Sequence, residues 1–165
     1  AAAGGGGPAR VLAALGPRML ALAGERSLGA HPYFTTVEHT AEARRVLGPG
    51  PLLAPELAVV VERDAEEAHR LARDYTSLYL SLPNYAQNLR RLGFSEDDVT
   101  GAGSDRLVDA VLVVGDEEAV ARRVAAHLAA GADHVCVQVV TGDFASFPLS
   151  EYRALSPALA EVAGR

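Results

Sequence analysis

Short apolar runs of strand length alternate along the chain with segments in which apolar residues recur at helical spacing. The apolar runs predict strands at residues 10–15, 28–34, 56–62 and 134–140. These runs are apolar along most of their length instead of alternating with polar residues, which is typical of strands buried on both faces. The order of strands and helices therefore predicts an α/β fold of about four βα units, with a parallel sheet covered by helices.

Helical spacing and capping residues mark the segments between these runs. The predicted helices cover residues 17–26, 37–47, 64–82, 86–92 and 117–130, and a terminal helix ends near residue 163. Thr35 and Glu38 have the spacing of a capping box for the second helix, and Asp64 is placed to cap the third. Residues 105–114 fit both a strand and a helix, and their spacing favours a short helix followed by an extended piece.

The composition fits one globular domain with its own core. The chain has 165 residues, of which 49% are hydrophobic, and its net charge of −6 argues against a nucleic-acid surface. No apolar run reaches the roughly 18 residues that span a bilayer, so no membrane contact is expected. Cys136 is the only cysteine, which excludes an internal disulfide and favours a reducing, cytoplasmic compartment. The glycine-rich residues 1–9 are expected to form a flexible lead-in.

The turn after the first predicted strand carries the strongest chemical signal. The first turn of a helix has free backbone N–H groups that bind anions, and Gly16 allows a ligand to approach the backbone closely. Pro17 suits the first helical position, and Arg18 adds a planar, permanent cation. This combination favours a phosphate site. An ordinary strand-to-helix turn with a surface arginine would have the same pattern.

Seven motifs follow one another along the chain. They are Leu-Gly-Pro-Arg-Met at 15–19, Gly-Ala-His-Pro-Tyr at 29–33, Glu-His-Thr at 38–40, Gly-Pro-Gly-Pro-Leu-Leu-Ala-Pro-Glu at 48–56, Asn-Tyr-Ala-Gln-Asn-Leu-Arg-Arg-Leu-Gly-Phe at 84–94, Gly-Asp-Glu-Glu at 115–118 and Ala-Gly-Ala-Asp-His-Val at 130–135. The ordered set resembles the C-terminal half of the luciferase-like monooxygenase family. Within that family it is most similar to the oxidoreductases that depend on the deazaflavin coenzyme F-420.

The resemblance implies that residues 10–165 form the C-terminal half of a (β/α)8 TIM barrel, with a helical insertion at residues 83–115 before the last strand. It also implies that the first four βα units are missing, which in the family carry much of the deazaflavin site and the usual catalytic residues. A barrel closes with about eight strands, so half of one has two open edges. We therefore expect either a longer polypeptide with an N-terminal half or pairing with another chain, as in a homo-oligomer.

The residues implied to bind the coenzyme lie where the strands end, since barrel enzymes place their chemistry at the C-terminal ends of the strands. They are Gly16, Pro17, Arg18 and Met19, expected to hold the phosphate-bearing tail, with His31 and Tyr33 beside them. His31 has the alternative of an ordinary loop histidine, and Tyr33 that of a half-buried anchor. A β-branched side chain in place of Gly16 is expected to crowd the turn, so Gly16→Val should harm both folding and binding.

Four more residues have both a structural and a chemical interpretation. His39 lies one turn into a helix and is expected to be structural. Glu62 ends a strand, where it either faces the site or pairs with a neighbour. Asn84 and Tyr85 follow a proline at a point where a lid over the site would bend, and simple interruption of the helix is the alternative.

The residues and the resemblance together predict an oxidoreductase that transfers a hydride between F-420 and an unknown small organic substrate. FMN is the alternative cofactor, with flavin-dependent monooxygenation as the activity. A second alternative is a non-catalytic half-barrel that needs a partner chain. No metal is expected, because His134 and Cys136 share one side of a strand but no second cluster completes a set of ligands.

Overall fold

The computed structural model describes residues 9–143, 145 and 147–164 of the chain. The strands are β1 (Val11–Leu12), β2 (Gly29–Ala30), β3 (Leu52–Leu53), β4 (Glu56–Val60), β5 (Leu112–Val114) and β6 (Cys136–Val139). The helices are α1 (Pro17–Arg26), α2 (Val37–Leu47), α3 (Ala65–Leu80), α4 (Pro83–Arg91), α5 (Asp105–Val111), α6 (Glu117–Ala129) and α7 (Leu149–Ala163). The predicted flexible lead-in lies outside the described residues except for Ala9.

The strands form two three-stranded parallel sheets, with the orders β1-β2-β3 and β5-β4-β6. The sheets are joined where β3 leads into β4, because Ala54 N–H donates to Ala30 O at 3.0 Å and Glu56 N–H donates to Pro32 O at 2.9 Å. Pro55 has no N–H and interrupts the ladder between them. Thus β1, β2, the β3–β4 segment and β6 lie side by side, which confirms the predicted parallel α/β architecture.

The strands are shorter than the apolar runs predict. Each of β1 and β2 is two residues long, because the chain leaves the ladder early to form the loops that precede α1 and α2. A further strand, β3, follows a Gly-Pro-Gly-Pro turn and was not predicted. The favoured interpretation of residues 105–114 is confirmed: α5 runs directly into β5, which pairs with β4 with Leu112 opposite Ala58.

The ends of α1 and α2 agree with the predicted boundaries, but α4 begins at Pro83, three residues before its predicted start. Asp64 accepts the N–H of Glu67 at 2.9 Å and caps α3 as predicted. Thr36 caps α2 by accepting the N–H of His39 at 3.2 Å, so the predicted capping box is wrong by one residue. Pro83 is the first residue of α4, a position at which its missing N–H costs no hydrogen bond.

The sequence of the central strand β4 does not alternate between apolar and polar residues, because all five of its residues are buried. One face packs with α3, α4 and α5, and the other packs with α6 and α7. A third cluster of buried side chains joins α1 and α2 to β2 and β3. In the part of the chain that the structure describes, no helix combines the length and apolar character needed to cross a membrane.

Candidate functional site

A cavity of about 460 Å³ lies beside the C-terminal ends of β1 and β2 and is bounded on the other side by α4. Its wall contains five of the six predicted ligand-binding residues: Gly16, Pro17, Met19, His31 and Tyr33. Helix α4 contributes Asn84, Tyr85, Gln87, Asn88 and Arg91. The structure therefore brings the two predicted loops together around one space, at the strand ends where the sequence places them.

Arg18 is the predicted residue that is not part of this wall. Its side chain is exposed on the first turn of α1, while its neighbours Pro17 and Met19 line the cavity. Successive helical residues point about 100° apart, so residues that are adjacent in sequence need not face the same space. The role of Arg18 in holding phosphate stays a prediction.

The first turn of α1 presents backbone donors at the cavity. Gly16 is the N-cap and has no side chain to cap the helix, and the first intrahelical bond runs from Leu20 N–H to Gly16 O at 3.0 Å. The N–H groups of Arg18 and Met19 precede that bond and have no partner within the helix. The end of the helix therefore keeps the donors and the partial positive charge that favour an anion.

The space around Gly16 is open. Its φ of −80° is accessible to any residue, and a Cβ added there meets no atom of the described residues within 4 Å. The expectation that Gly16→Val harms folding by crowding the turn is therefore wrong.

We predict that the Gly16→Val variant lowers the free energy of unfolding by no more than about 1 kcal/mol, measured by urea denaturation, because valine is a poorer N-cap than glycine but does not crowd the turn. Because Gly16 borders the cavity, the same variant should still weaken a ligand that touches this backbone. A large loss of stability would show that the turn is packed more tightly than the structure indicates.

His39 supports the turn from beneath and is structural, as the sequence predicts. It is fully buried in α2, and its Nε2–H donates to Leu15 O at 2.8 Å, immediately before Gly16. Burial lowers the pKa of its imidazole, which keeps the ring neutral in this position. The contact ties the loop after β1 to α2.

His31 and Tyr33 stand next to each other in the cavity wall. The Nδ1–H of His31 donates to Ala54 O at 2.6 Å, which leaves Nε2 as an acceptor. The His31 and Tyr33 rings meet edge to face, with centroids 6.1 Å apart. Tyr33 donates its phenolic hydrogen to the side-chain oxygen of Gln138 in β6. Backbone and side-chain contacts thus fix both residues that the sequence placed at the site.

Sequence reasoning missed a buried carboxyl behind Tyr33. Glu56 is 2% exposed, and its two oxygens accept the Tyr75 hydroxyl at 3.0 Å and the Phe34 N–H at 3.1 Å. Burial raises the pKa of Glu56 to about 7, against the lowering effect of those two hydrogen bonds. The available signal was an acidic residue at the start of an otherwise apolar strand.

Phe34 shows that the loop beneath the site is held in an unusual conformation. Its φ of 52° lies in the left-handed region, and Phe34 is the only non-glycine residue of the described chain with a positive φ. The Phe34 side chain is fully buried, and its N–H is bound to Glu56. This anchoring holds the turn that presents His31 and Tyr33 to the cavity.

The α4 side of the cavity supplies polar groups that the sequence analysis did not assign. The guanidinium of Arg91 forms an ion pair with the carboxylate of Glu42 and donates a hydrogen bond to Asn88 Oδ1 at 2.8 Å. The Nδ2 of Asn88 is buried and has no hydrogen-bond partner among the described residues, which leaves a donor beside the cavity. The helical spacing of Asn84, Asn88 and Arg91 could have predicted that they share one face.

The remaining candidates lie apart from the cavity. Glu62 Oε1 accepts the N–H groups of Arg63 and Asp64 at 2.6 and 3.0 Å, so this carboxylate caps a local turn. His134 is exposed, and Cys136 is partly buried. Across the described ranges, no three side chains of His, Cys, Asp or Glu are grouped so that they could share a metal ion.

The family model of the luciferase-like monooxygenases matches residues 4–134, which is most of the chain. The chain belongs to the luciferase-like monooxygenase family. None of the curated proteins matches it. Membership confirms the family that the ordered motifs indicated.

Solved structures show what fold this luciferase-like chain has. An F-420-dependent secondary alcohol dehydrogenase, solved with an F-420–acetone adduct, matches with a TM-score of 0.59 and 15% identity over 90% of this chain and 48% of its own. Apo-MsnO8 matches with a TM-score of 0.59 and 20% identity over 94% and 52% of the two chains. The EDTA monooxygenase EmoA from Chelativorans sp. BNC1 matches with a TM-score of 0.61 and 16% identity over 93% and 44%.

The share of each solved structure that the chain covers indicates the architecture of this luciferase-like chain. The chain spans about half the length of the solved structures that it matches. Its parallel strands and intervening helices are those of a partial TIM barrel, so the predicted fold class is confirmed. The cavity lies at the C-terminal ends of the strands, where TIM barrels carry their sites.

Proposed function

We propose that the chain binds the phosphorylated tail of a deazaflavin coenzyme at the first turn of α1 and serves an F-420-dependent oxidoreductase. The observation that carries the proposal is the cavity that joins the uncapped helix end to the loop of His31 and Tyr33. Family membership supports an oxidoreductase, and one structural neighbour is named as F-420-dependent.

The residues present fit a phosphorylated ligand. Within the part of the chain that the structure describes, the N–H groups of the first turn and the Nδ2 of Asn88 have no hydrogen-bond acceptor, so a phosphate or another acceptor oxygen would satisfy them. The open space at Gly16 allows close approach to the backbone. Pro17 and Met19 provide apolar contacts, and Arg18 extends from the same turn to add a positive charge.

The coenzyme, when bound, would supply hydride transfer to or from a small organic substrate. The protein would orient it between α1 and α4 and limit the access of water. FMN is the second candidate, because the family model and the EmoA structure both bear the name of monooxygenases. In that case the same helix end would hold the FMN phosphate.

We further propose that a second barrel half completes the enzyme. In the described part of the chain, β1 pairs with β2 alone and β6 pairs with β4 alone, so each has one open edge. An N-terminal half in the same polypeptide, or another copy of the chain, would cover these edges. The substrate and the reacting groups would then lie between the two halves.

Titrations with F-420 and with FMN test the function. Changes in absorbance and fluorescence on adding the chain should show saturable binding of F-420 in preference to FMN. Preference for FMN would replace the first proposal with the second. Absence of binding of either coenzyme, by the chain alone and by the chain supplied with an N-terminal half, would contradict both.

Arg18→Ala should weaken F-420 binding about fivefold at low salt, since an exposed charge pair contributes on the order of 1 kcal/mol. The difference should shrink in high salt, where exposed charges are screened. Arg26→Ala is the matched control, because Arg26 is an exposed arginine at the other end of the same helix. Equal affinity of the two variants would remove Arg18 from the site.

A further inference from the structure

Glu56 is a buried acid without a cationic partner. It lies at the first position of β4, and no salt bridge within the described residues includes it. Glu56 acts electrostatically on Tyr33, Tyr75, Tyr85 and Cys136, whose side chains are neutral at pH 7. Burial raises the pKa of Glu56 to about 7, so both of its protonation states are accessible near neutral pH.

A continuous series of hydroxyl groups leads from this carboxyl to the cavity wall. The Tyr75 hydroxyl lies 3.0 Å from Glu56 Oε1 and 3.4 Å from the Tyr33 hydroxyl. Tyr33 in turn donates to Gln138 and lines the cavity. When Glu56 is protonated, all donors can point one way: Glu56 to Tyr75, Tyr75 to Tyr33, and Tyr33 to Gln138, from which the Tyr33 hydroxyl would turn to a ligand in the cavity.

We propose that Glu56, Tyr75 and Tyr33 form a proton relay between the buried carboxyl and a ligand in the cavity. A basic atom of the ligand takes the phenolic proton of Tyr33, Tyr33 takes that of Tyr75, and Tyr75 takes the proton of Glu56. One proton moves to the ligand, Glu56 becomes a carboxylate, and no electrons are transferred.

The relay deepens the proposed function and rests on it for the identity of the ligand. Transfer of a hydride to a carbonyl carbon leaves an oxygen that must receive a proton, and the reverse reaction must release one. Tyr33 would exchange that proton at the cavity wall, while Glu56 stores it out of contact with water. Phe34 N–H stays bound to the other Glu56 oxygen and keeps the carboxyl in place.

The relay is testable without any ligand, because it couples Tyr33 to a carboxyl that Tyr33 does not touch. Carbon-13 NMR of labelled glutamate should show Glu56 titrating near pH 7, with Glu56→Gln assigning the signal. Tyr75→Phe removes a donor to the carboxylate and should raise the pKa of Glu56. Tyr33→Phe leaves the Tyr75 hydroxyl free to donate to Glu56 alone and should lower it.

Tyr85→Phe is the matched control for these variants. Tyr85 also lines the cavity and its ring packs against Tyr79, but its hydroxyl is not part of the series. The Glu56 midpoint should be unchanged in this variant. If Tyr33→Phe also leaves the midpoint unchanged, or shifts it in the same direction as Tyr75→Phe, the relay is contradicted.

Calorimetry with F-420 separates the relay from the proposed function. Because both protonation states of Glu56 are accessible at pH 7, a ligand that bonds Tyr33 should change the protonated fraction of Glu56 through the series. Binding measured at pH 7 in two buffers of different ionisation enthalpy should therefore reveal proton exchange with solvent for the wild type. The exchange should be lost in Glu56→Gln, although the coenzyme still binds. Binding with the same proton exchange in both proteins would overturn the relay. Absence of binding would overturn the proposed function alone, since the NMR titration needs no coenzyme.

Discussion

The Gly29→Ala variant should lose at least about 3 kcal/mol of the free energy of unfolding. Gly29 is the first residue of β2 and has a φ of 155°, a conformation that side chains rarely adopt. A Cβ at this position would lie 1.9 Å from Leu52 O, which belongs to the backbone of the neighbouring strand β3. A backbone atom in a parallel ladder cannot move aside as a flexible side chain can.

The consequence extends from the sheet to the site. The ladder of β2 and β3 pairs Gly29 with Leu52 and Ala30 with Leu53, and His31 follows directly. Separation of these strands would displace the loop that carries His31 and Tyr33. We therefore expect Gly29→Ala to reduce ligand affinity together with stability.

Urea denaturation followed by circular dichroism measures the change in stability. Gly50→Ala is a suitable control, because a Cβ added at Gly50 meets no atom of the described ranges within 4 Å and the residue lies in an exposed turn. The control should differ from the wild type by less than about 0.5 kcal/mol. Equal stabilities of Gly29→Ala and Gly50→Ala would show that β2 and β3 do not approach as closely as the structure shows.

Local signals in the sequence predicted the regular elements of the fold well. α2 has the predicted bounds because Thr36 and the Gly48 turn delimit it, and α5 followed by β5 matches the favoured interpretation of an ambiguous segment. These features depend on neighbours in sequence. The lengths of β1 and β2 depend instead on the fold, because a strand ends where its partner in the sheet departs. The apolar composition of a run does not show where that happens.

The candidate site divides along the same line. The loops of Gly16 and His31 were predicted to meet, because parallel strands deliver their C-terminal ends to one edge. The contribution of α4 depends on how that helix packs across the sheet, so Asn88 and Arg91 could not be assigned from the sequence. Glu56 was missed for another reason: its partner Tyr75 is 19 residues away, and only the fold brings them together.

Opposing effects of pH on stability are expected from two buried groups. Glu56 has a pKa of about 7 in the folded chain because burial raises it from 4.5, so the folded state prefers its protonated form. His127 has a pKa of about 4 because burial lowers it from 6.5, so the folded state prefers its neutral form. His127 is fully buried in α6, with Nδ1 2.9 Å from the Thr40 hydroxyl.

The signs follow from the proton balance of each group. As the pH rises from 4.5 to 7, Glu56 ionises in the unfolded chain while it stays protonated in the folded chain. The free energy of unfolding therefore falls by about 3 kcal/mol. As the pH rises from 4 to 6.5, His127 is already neutral in the folded chain, while in the unfolded chain it releases its proton. The free energy of unfolding therefore rises by about 3 kcal/mol. The two contributions largely cancel in the wild type between pH 4.5 and 6.5.

Single substitutions should expose each contribution. In Glu56→Gln only the His127 contribution remains, so the free energy of unfolding should rise by about 3 kcal/mol as the pH increases from 4 to 6.5. In His127→Gln only the Glu56 contribution remains, so the free energy of unfolding should fall by a similar amount as the pH increases from 4.5 to 7. Urea denaturation across this range measures both slopes, and the Glu56→Gln, His127→Gln double variant removes both groups and serves as the baseline. If Glu56→Gln has the same pH profile as the wild type, Glu56 does not titrate in this range, and a carboxyl that does not titrate near neutral pH cannot serve the relay through Tyr75.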